Sequence, residues 1–140
     1  MYYEWRHIVT FEETNLVGNV YYANHIRWQG SCREIFLKEH APEVLEQFSK
    51  DLVMVTTRVS CEYFDELFVF DEVILQMRAG SITSSRIVML FDYLRQETQG
   101  EELIARGEQQ VACLLKGHWA MVPAPIPKSL QEALTPYLSN

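Results

Sequence analysis

No stretch of this chain is both long and apolar enough to cross a membrane, and its first residues, MYYEWRHIVTF, interleave charge with apolar side chains. A secretory leader, which needs an apolar core and a small-residue cleavage site, is therefore not expected at the N-terminus. Cysteine is scarce: Cys32, Cys61 and Cys113 stand far apart, odd in number and without a C-x-x-C spacing. That pattern argues against a disulfide scaffold and fits buried small hydrophobes in a reducing, cytoplasmic setting. His7, His25, His40 and His118 do not combine with the cysteines into a metal-ligand spacing, so no metal is expected. Excess positive charge is missing too. Lys and Arg number 12 against 19 Asp and Glu, a net charge of −7, which disfavours a broad nucleic-acid face driven by counterion release. There is no repeat, low-complexity tract or Pro/Gly/Ser-rich linker, so residues 1–140, 48% hydrophobic, read as one domain with a substantial core.

What the chain does contain is one long helix-compatible run and several β-rich ones. From Phe11 to Leu37, FEETNLVGNVYYANHIRWQGSCREIFL, a polar turn with Gly18 leads into Tyr22, His25, Ile26, Gln29, Arg33, Phe36 and Leu37 at three- and four-residue spacing. With Asn19 as N-cap, this predicts a helix over about residues 20–40, enclosed on more than one side and broken at Ala41-Pro42. Glu43 to Phe48 adds a short helical turn. Tyr3 to Phe11 reads as a first strand, and four β-branched and aromatic runs follow over residues 52–64, 67–79, 86–96 and 102–122. They are separated by Asp65-Glu66, by the Gly80-Ser81 and Ser84-Ser85 region, and by a hairpin turn at Thr98-Gln99-Gly100-Glu101. Gly107 marks a bulge or a close approach inside the last run. Residues 128–138 read as a short amphipathic helix packing outside the sheet. The predicted class is α+β. A long helix between a first strand and a meander of four more resembles the hot-dog fold, a five-stranded antiparallel sheet wrapped around a long central helix.

The residues sharpen that resemblance. Glu13-Thr14-Asn15-Leu16-Val17-Gly18-Asn19-Val20-Tyr21-Tyr22, followed by Arg27-Trp28-Gln29 and Arg33-Glu34, resembles the active-site segment of the 4-hydroxybenzoyl-CoA thioesterase family. Glu62-Tyr63, Phe70-Asp71-Glu72-Val73 and Ala105-Arg106-Gly107-Glu108 resemble its later strands, so the likeness covers roughly residues 3–122. Within the family, ETNLVGNVYY with WQGSCRE is similar to the thioesterases of enediyne polyketide biosynthesis. The resemblance implies hydrolysis of a long polyene β-keto acyl thioester carried by the acyl carrier protein domain of an iterative polyketide synthase. It also implies a homo-oligomer, a dimer or a tetramer. A general acyl-CoA thioesterase and a non-catalytic acyl-binding module are the alternatives.

Thioester hydrolysis needs a positioned water, donors for the developing oxyanion and a dry slot for the acyl chain. By resemblance, the backbone amide of Tyr22 polarises the thioester carbonyl, with Gly18 allowing close backbone approach and Asn19 at the same turn. The plain alternative is an ordinary helix end capped by Asn19. Many family members carry a catalytic Asp where this chain has Asn15, and an amide can be neither base nor nucleophile. The enediyne-type members are thought to rely on that Asn with a helix Arg, here Arg33, whose alternative is an ion pair with Glu62 or with Glu34 of a neighbouring subunit. His25 stands where Tyr is usual. It is either a hydrogen-bonded core residue or a replacement for the tyrosine's bond to substrate or water. Gln29 on the inner helix face and Glu62, a candidate outside base, complete the expected substrate-binding set. Cys32, seven residues from His25, is two turns and about 10 Å away, too far for a nucleophile pair.

Overall fold

The computed structural model describes residues 1–117 and 119–139, and His118 lies outside the described residues. The chain runs through β1 (Tyr3–Ile8), a 3-10 turn (Phe11–Glu13), α1 (Ala23–His40), α2 (Pro42–Phe48), β2 (Leu52–Tyr63), β3 (Glu72–Ile82), β4 (Arg86–Glu97) and β5 (Gly100–Lys116). It ends with β6 (Met121–Pro123), α3 (Lys128–Leu134) and a second 3-10 turn (Thr135–Tyr137).

The sheet is antiparallel in the order β1-β3-β4-β5-β2, with short β6 paired to the end of β5. β3, β4 and β5, continued by short β6, form the meander. The expected meander of four strands is corrected here: β2 pairs with β5 at the far edge, not with β3. Because β1 and β2 occupy opposite edges, the helices joining them must cross the sheet, which makes α1 central.

Alternation selects the face that α1 covers. Val73, Leu75, Met77 and Ala79 of β3 and Ile87, Met89, Phe91 and Tyr93 of β4 share one core with Trp28, Cys32, Phe36 and Leu37 of α1. Phe36 is fully buried, and removing such a side chain from water contributes about 1.5–3 kcal/mol.

Several element bounds differ from expectation for identifiable reasons. Asn19 is not the helix cap. Residues 19 and 20 pair as extended backbone, Asn19 bridging to Phe68 and Val20 donating to the Leu67 carbonyl at 2.8 Å, so α1 starts only at Ala23. The first strand stops at Ile8 rather than Phe11, since Phe11–Glu13 turns as a 3-10 helix. Leu67 to Asp71 form no strand: Asp71 accepts from the Phe68 amide at 2.9 Å and Phe70 has φ 70°, which turns the chain before β3. The turn comes after Ile82, and Gly80-Ser81 lies within β3 at an irregularity where the register with β4 shifts. The predicted 102–122 strand divides after Lys116 into β5 and β6. The C-terminal helix is shorter than expected and does not pack outside: Leu130 and Leu134 are fully buried in the core, and Tyr137 packs edge-on to Phe36 of α1.

Gly107 is a close approach. A Cβ there would collide with the Gln29 side-chain amide and come within 3.0 Å of the Ser60 carbonyl oxygen. Gln29 cannot simply step aside, because it is fully buried and donates to that same carbonyl at 3.1 Å. Gly107→Ala is expected to cost about 1–3 kcal/mol by overpacking, read as a lower denaturation midpoint at unchanged slope. An unchanged midpoint would show that the helix and sheet are not in this contact.

Candidate active site

The corner before α1 is held by backbone. Gly18 has φ 95°, a left-handed conformation that strains residues with a side chain. It lets the Gly18 amide donate to the Asn15 carbonyl at 2.9 Å and the Asn15 amide to the Asn19 carbonyl at 2.7 Å. A Cβ at Gly18 would meet no protein atom within 4 Å, so within the chain this glycine serves the turn. Downstream, Tyr21 donates to the Glu13 carbonyl, while Asn24 and His25 fold back onto Tyr21 and Tyr22. The amides of Tyr22 and Ala23 are left without an acceptor among the described residues. They stand at the positive end of the α1 dipole, the arrangement an oxyanion needs.

Beside these amides lies a cavity of about 250 Å³ whose walls include Asn15, Asn19, Tyr22, His25, Tyr63 and Glu66. Its polar wall is an ordered relay. The Glu66 carboxylate can only accept, so the bond from Asn19 Nδ2 at 2.9 Å orients the Asn19 amide. Asn19 Oδ1 is thereby turned to accept from Asn15 Nδ2 at 3.2 Å. Glu66 is positioned by Arg95, which donates to its carbonyl at 2.6 Å and pairs with Asp65, Glu97 and Glu102. The exposed acidic turn at residues 65–66 therefore supports the cavity.

His25 forms the inner wall and is 3% exposed. Its Nδ1 lies 3.3 Å from the Tyr22 carbonyl oxygen, and its Nε2 has no partner. Burial lowers its pKa below the ordinary imidazole value, against the smaller opposing effects of the Tyr22 carbonyl and the Glu66 charge. Tyr63 packs edge-on to the imidazole at 4.7 Å and donates to the Tyr22 carbonyl at 2.9 Å. Tyr93 donates to the His25 carbonyl at 2.6 Å. Leaving a buried polar atom unpaired costs on the order of 1–3 kcal/mol. His25 Nε2 and Gln29 Oε1 are the two such side-chain atoms among the described residues.

Other expected site residues lie elsewhere. Gln29 straps α1 to β2 through the Ser60 carbonyl. Glu62 is corrected outright: it pairs across from Arg106 and lines a hollow on the outer face with Arg58, Ser60 and Asp92. Strand side chains alternate, so Glu62 faces away while Tyr63 faces the cavity. Tyr63 and Tyr93 were missed as site-shaping residues, although parity along β2 carried the signal for the first. Arg33 sits eight residues beyond His25, about 12 Å along the helix, and the structure does not bring it to Asn15 within one chain. It donates to Gln109 Oε1 at 2.7 Å and reaches Thr56 at 3.4 Å, with no carboxylate partner among the described residues. It borders an apolar slot of about 430 Å³ with Leu37, Leu45, Phe48, Leu52 and Met54. Burial lowers its pKa, opposed by Glu34.

Cys32 and Cys113 are buried and Cys61 is half-buried, all three with free thiols. Burial pushes the Cys32 thiol up to about 12, the opposite of an activated nucleophile. Among the described residues no His, Cys, Asp and Glu group could hold a metal ion, and no helix is long and apolar enough to cross a membrane.

Residues 9–134 match the thioesterase-like superfamily. The chain belongs to that superfamily. Its class of chemistry is thioester hydrolysis, and its fold is the hot-dog fold. It is 41% identical to the dynemicin thioesterase, whose crystal structures reveal induced-fit and allosteric effects upon polyene binding. That match covers 100% of this chain and 99% of the other at a TM-score of 0.97. Two further thioesterases share the fold at lower identity. A 1,4-dihydroxy-2-naphthoyl-CoA thioesterase from Synechocystis is 18% identical, with 96% of each chain covered and a TM-score of 0.83. A mutant 4-hydroxybenzoyl-CoA thioesterase complexed with 4-hydroxybenzoyl-CoA is 13% identical, with 96% of this chain and 99% of the other covered and a TM-score of 0.84. Comparison with curated proteins finds no match.

Proposed function

We propose that this thioesterase releases a long polyene β-keto acyl chain from the acyl carrier protein domain of an iterative polyketide synthase. The observation that carries the reading is the full-length likeness to a thioesterase studied with polyene bound. The free Tyr22 amide at the helix end supplies the oxyanion donor, and Asn15, held by Asn19, supplies an oriented amide beside it. The released β-keto acid can lose CO₂ unaided. No cofactor enters the reaction.

Arg33 joins the site through a second copy of the chain. Strand β2 is a free edge of 12 residues, and an unpaired edge of that length invites another strand. Along β2, Tyr63 at one end bonds to Tyr22, and Thr56 nearer the other end meets Arg33. A two-fold axis through an antiparallel β2 pair sets the Tyr63 end of one chain against the Thr56 end of its partner. The Asn15 cavity of one protomer would then meet the partner's arginine and apolar slot. Light scattering is expected to show at least a dimer, and a fully active monomer would rule out the shared site.

The functional test is incubation with a carrier domain loaded with a β-keto polyene chain, the products identified by mass spectrometry. Release of the acid or its decarboxylated ketone supports the reading. Turnover confined to acyl-CoA substrates would favour a general acyl-CoA thioesterase, and tight binding without turnover a non-catalytic acyl-binding module.

A further inference from the structure

We propose that His25 is the general base of the hydrolysis, taking through Nε2 the proton of the attacking water. The assignment rests on the thioesterase reading above and specifies how that reaction proceeds where Asn15 offers no titratable group. Three observations carry it. A carbonyl oxygen only accepts, so the 3.3 Å contact between His25 Nδ1 and the Tyr22 carbonyl places the imidazole proton on Nδ1. Nε2 is then a bare acceptor, and it is buried with no protein partner. The same ring walls the cavity that Asn15 and Tyr22 line, next to the free Tyr22 amide.

The two carboxylates on that wall are less suited: Asp65 is exposed and pairs with Arg95 at 2.9 Å. Glu66 is exposed and already accepts from Asn19. A hydrogen bond from Nδ1–H to a backbone carbonyl is also what stabilises the imidazolium when Nε2 becomes protonated. Catalytic contacts of substrate-free enzymes often close only when substrate is bound. The ring that covers His25 is Tyr63, fastened through its hydroxyl to the Tyr22 carbonyl.

The step balances without a co-reactant. Water oxygen attacks the thioester carbonyl carbon as one water proton passes to Nε2, and the carbonyl π pair moves onto oxygen facing the Tyr22 amide. Collapse of the tetrahedral intermediate breaks the C–S bond, and the departing sulfur takes the proton from Nε2. The products are the acid and the carrier thiol, with His25 returned to its neutral form.

A base must be unprotonated, so activity should fall as pH drops through the His25 pKa, which burial sets below the ordinary imidazole value. The titratable groups around this ring are Tyr63 of β2, Asp65 and Glu66 of the connection after β2, Tyr93 of β4, and Tyr22 of the helix end. Tyr63 and Tyr93 ordinarily titrate far above the acid range, and burial raises them further, so neither accounts for an acid limb.

The experiment is single-turnover release of a carrier-bound β-keto acyl chain by wild type, His25→Gln and Glu66→Gln from acid to neutral pH. Alongside it, nitrogen NMR of the wild-type imidazoles reads the tautomer without reference to turnover. The expected result is a proton on Nδ1, a wild-type acid limb, and a loss of about 10²–10⁴-fold in His25→Gln together with that limb. Glu66→Gln, whatever its rate, keeps the limb. A proton on Nε2 at neutral pH overturns the assignment even if His25→Gln does not fold. So does a His25→Gln variant that keeps the limb at near wild-type rate. If wild type ignores the carrier-bound chain but hydrolyses a simple acyl-CoA with the His25-dependent limb, the substrate reading fails and the base assignment stands.

Discussion

Arg33→Ala and Asn15→Ala, each nearly inactive alone, are expected to recover about a quarter of wild-type turnover when their subunits are mixed and allowed to exchange. The arithmetic follows from two-fold symmetry: about half of the dimers are mixed, and each mixed dimer holds one intact and one doubly impaired site. Each single variant should lose on the order of 10²–10³-fold in single-turnover rate, the usual effect of deleting one oxyanion donor. Recovery occurs only if Asn15 and Arg33 reach the same carbonyl from different chains. No recovery on mixing would mean that the two residues act within one chain, which needs α1 to bend or the substrate to bridge two sites. Stability must be followed in parallel, because Arg33 donates to the buried Gln109 Oε1 at 2.7 Å, and orphaning that oxygen costs about 1–3 kcal/mol. Cys32→Ser is the control. The Cys32 thiol is buried and has its pKa pushed up to about 12, so its replacement should leave turnover nearly unchanged. A Cys32→Ser variant as inactive as Arg33→Ala, with its fold intact, would overturn the mechanism.

Asn15→Asp is expected to impair release as severely as Asn15→Ala, although it restores the acid found in many relatives of this family. The reason is the relay that ends at Glu66. Asn15 Nδ2 donates to Asn19 Oδ1 at 3.2 Å, and Asn19 Nδ2 donates to Glu66 at 2.9 Å. A carboxylate at residue 15 has nothing to donate, so Asn19 must either face it with Oδ1 or flip and turn Oδ1 toward Glu66. Each arrangement sets an oxygen acceptor against an anion. The new charge also stands beside the Tyr22 amide, where the oxyanion forms, and opposes its stabilisation. Asn15→Ala removes the donor without adding charge, at a cost of about 10²–10³-fold in rate. Both should be measured by single-turnover release of a carrier-bound β-keto chain, with intact-protein mass spectra at early times. Faster release by Asn15→Asp, or a covalent acyl adduct on wild type, would show that the amide is not the working group at this position.

The sequence by itself determined what depends on near neighbours in the chain. Apolar spacing located α1, and Pro42 ended it, because the proline ring cannot continue a helix. β-Branched and aromatic composition located the β-rich runs, and Gly107, read as a bulge or a close approach, proved to be a close approach to Gln29 and Ser60. The spacing of His25 and Cys32 excluded a nucleophile pair before any coordinates. Tertiary structure decided what depends on distant partners. The pairing of β2 with β5 rather than β3 follows from helices that must cross the sheet. The start of α1 was set at Ala23 by bonds to Leu67 and Phe68, some fifty residues on, which no local cap signal records. Alternation along β2 put Glu62 and Tyr63 on opposite faces, but which of the two faces the cavity was settled only when the strand was registered on β5. The Tyr22 carbonyl was brought to 3.3 Å from His25 Nδ1 only when the first helical turn closed. Periodicity states which side of an element is buried; which groups meet there is fixed by the packing of elements far apart in the chain.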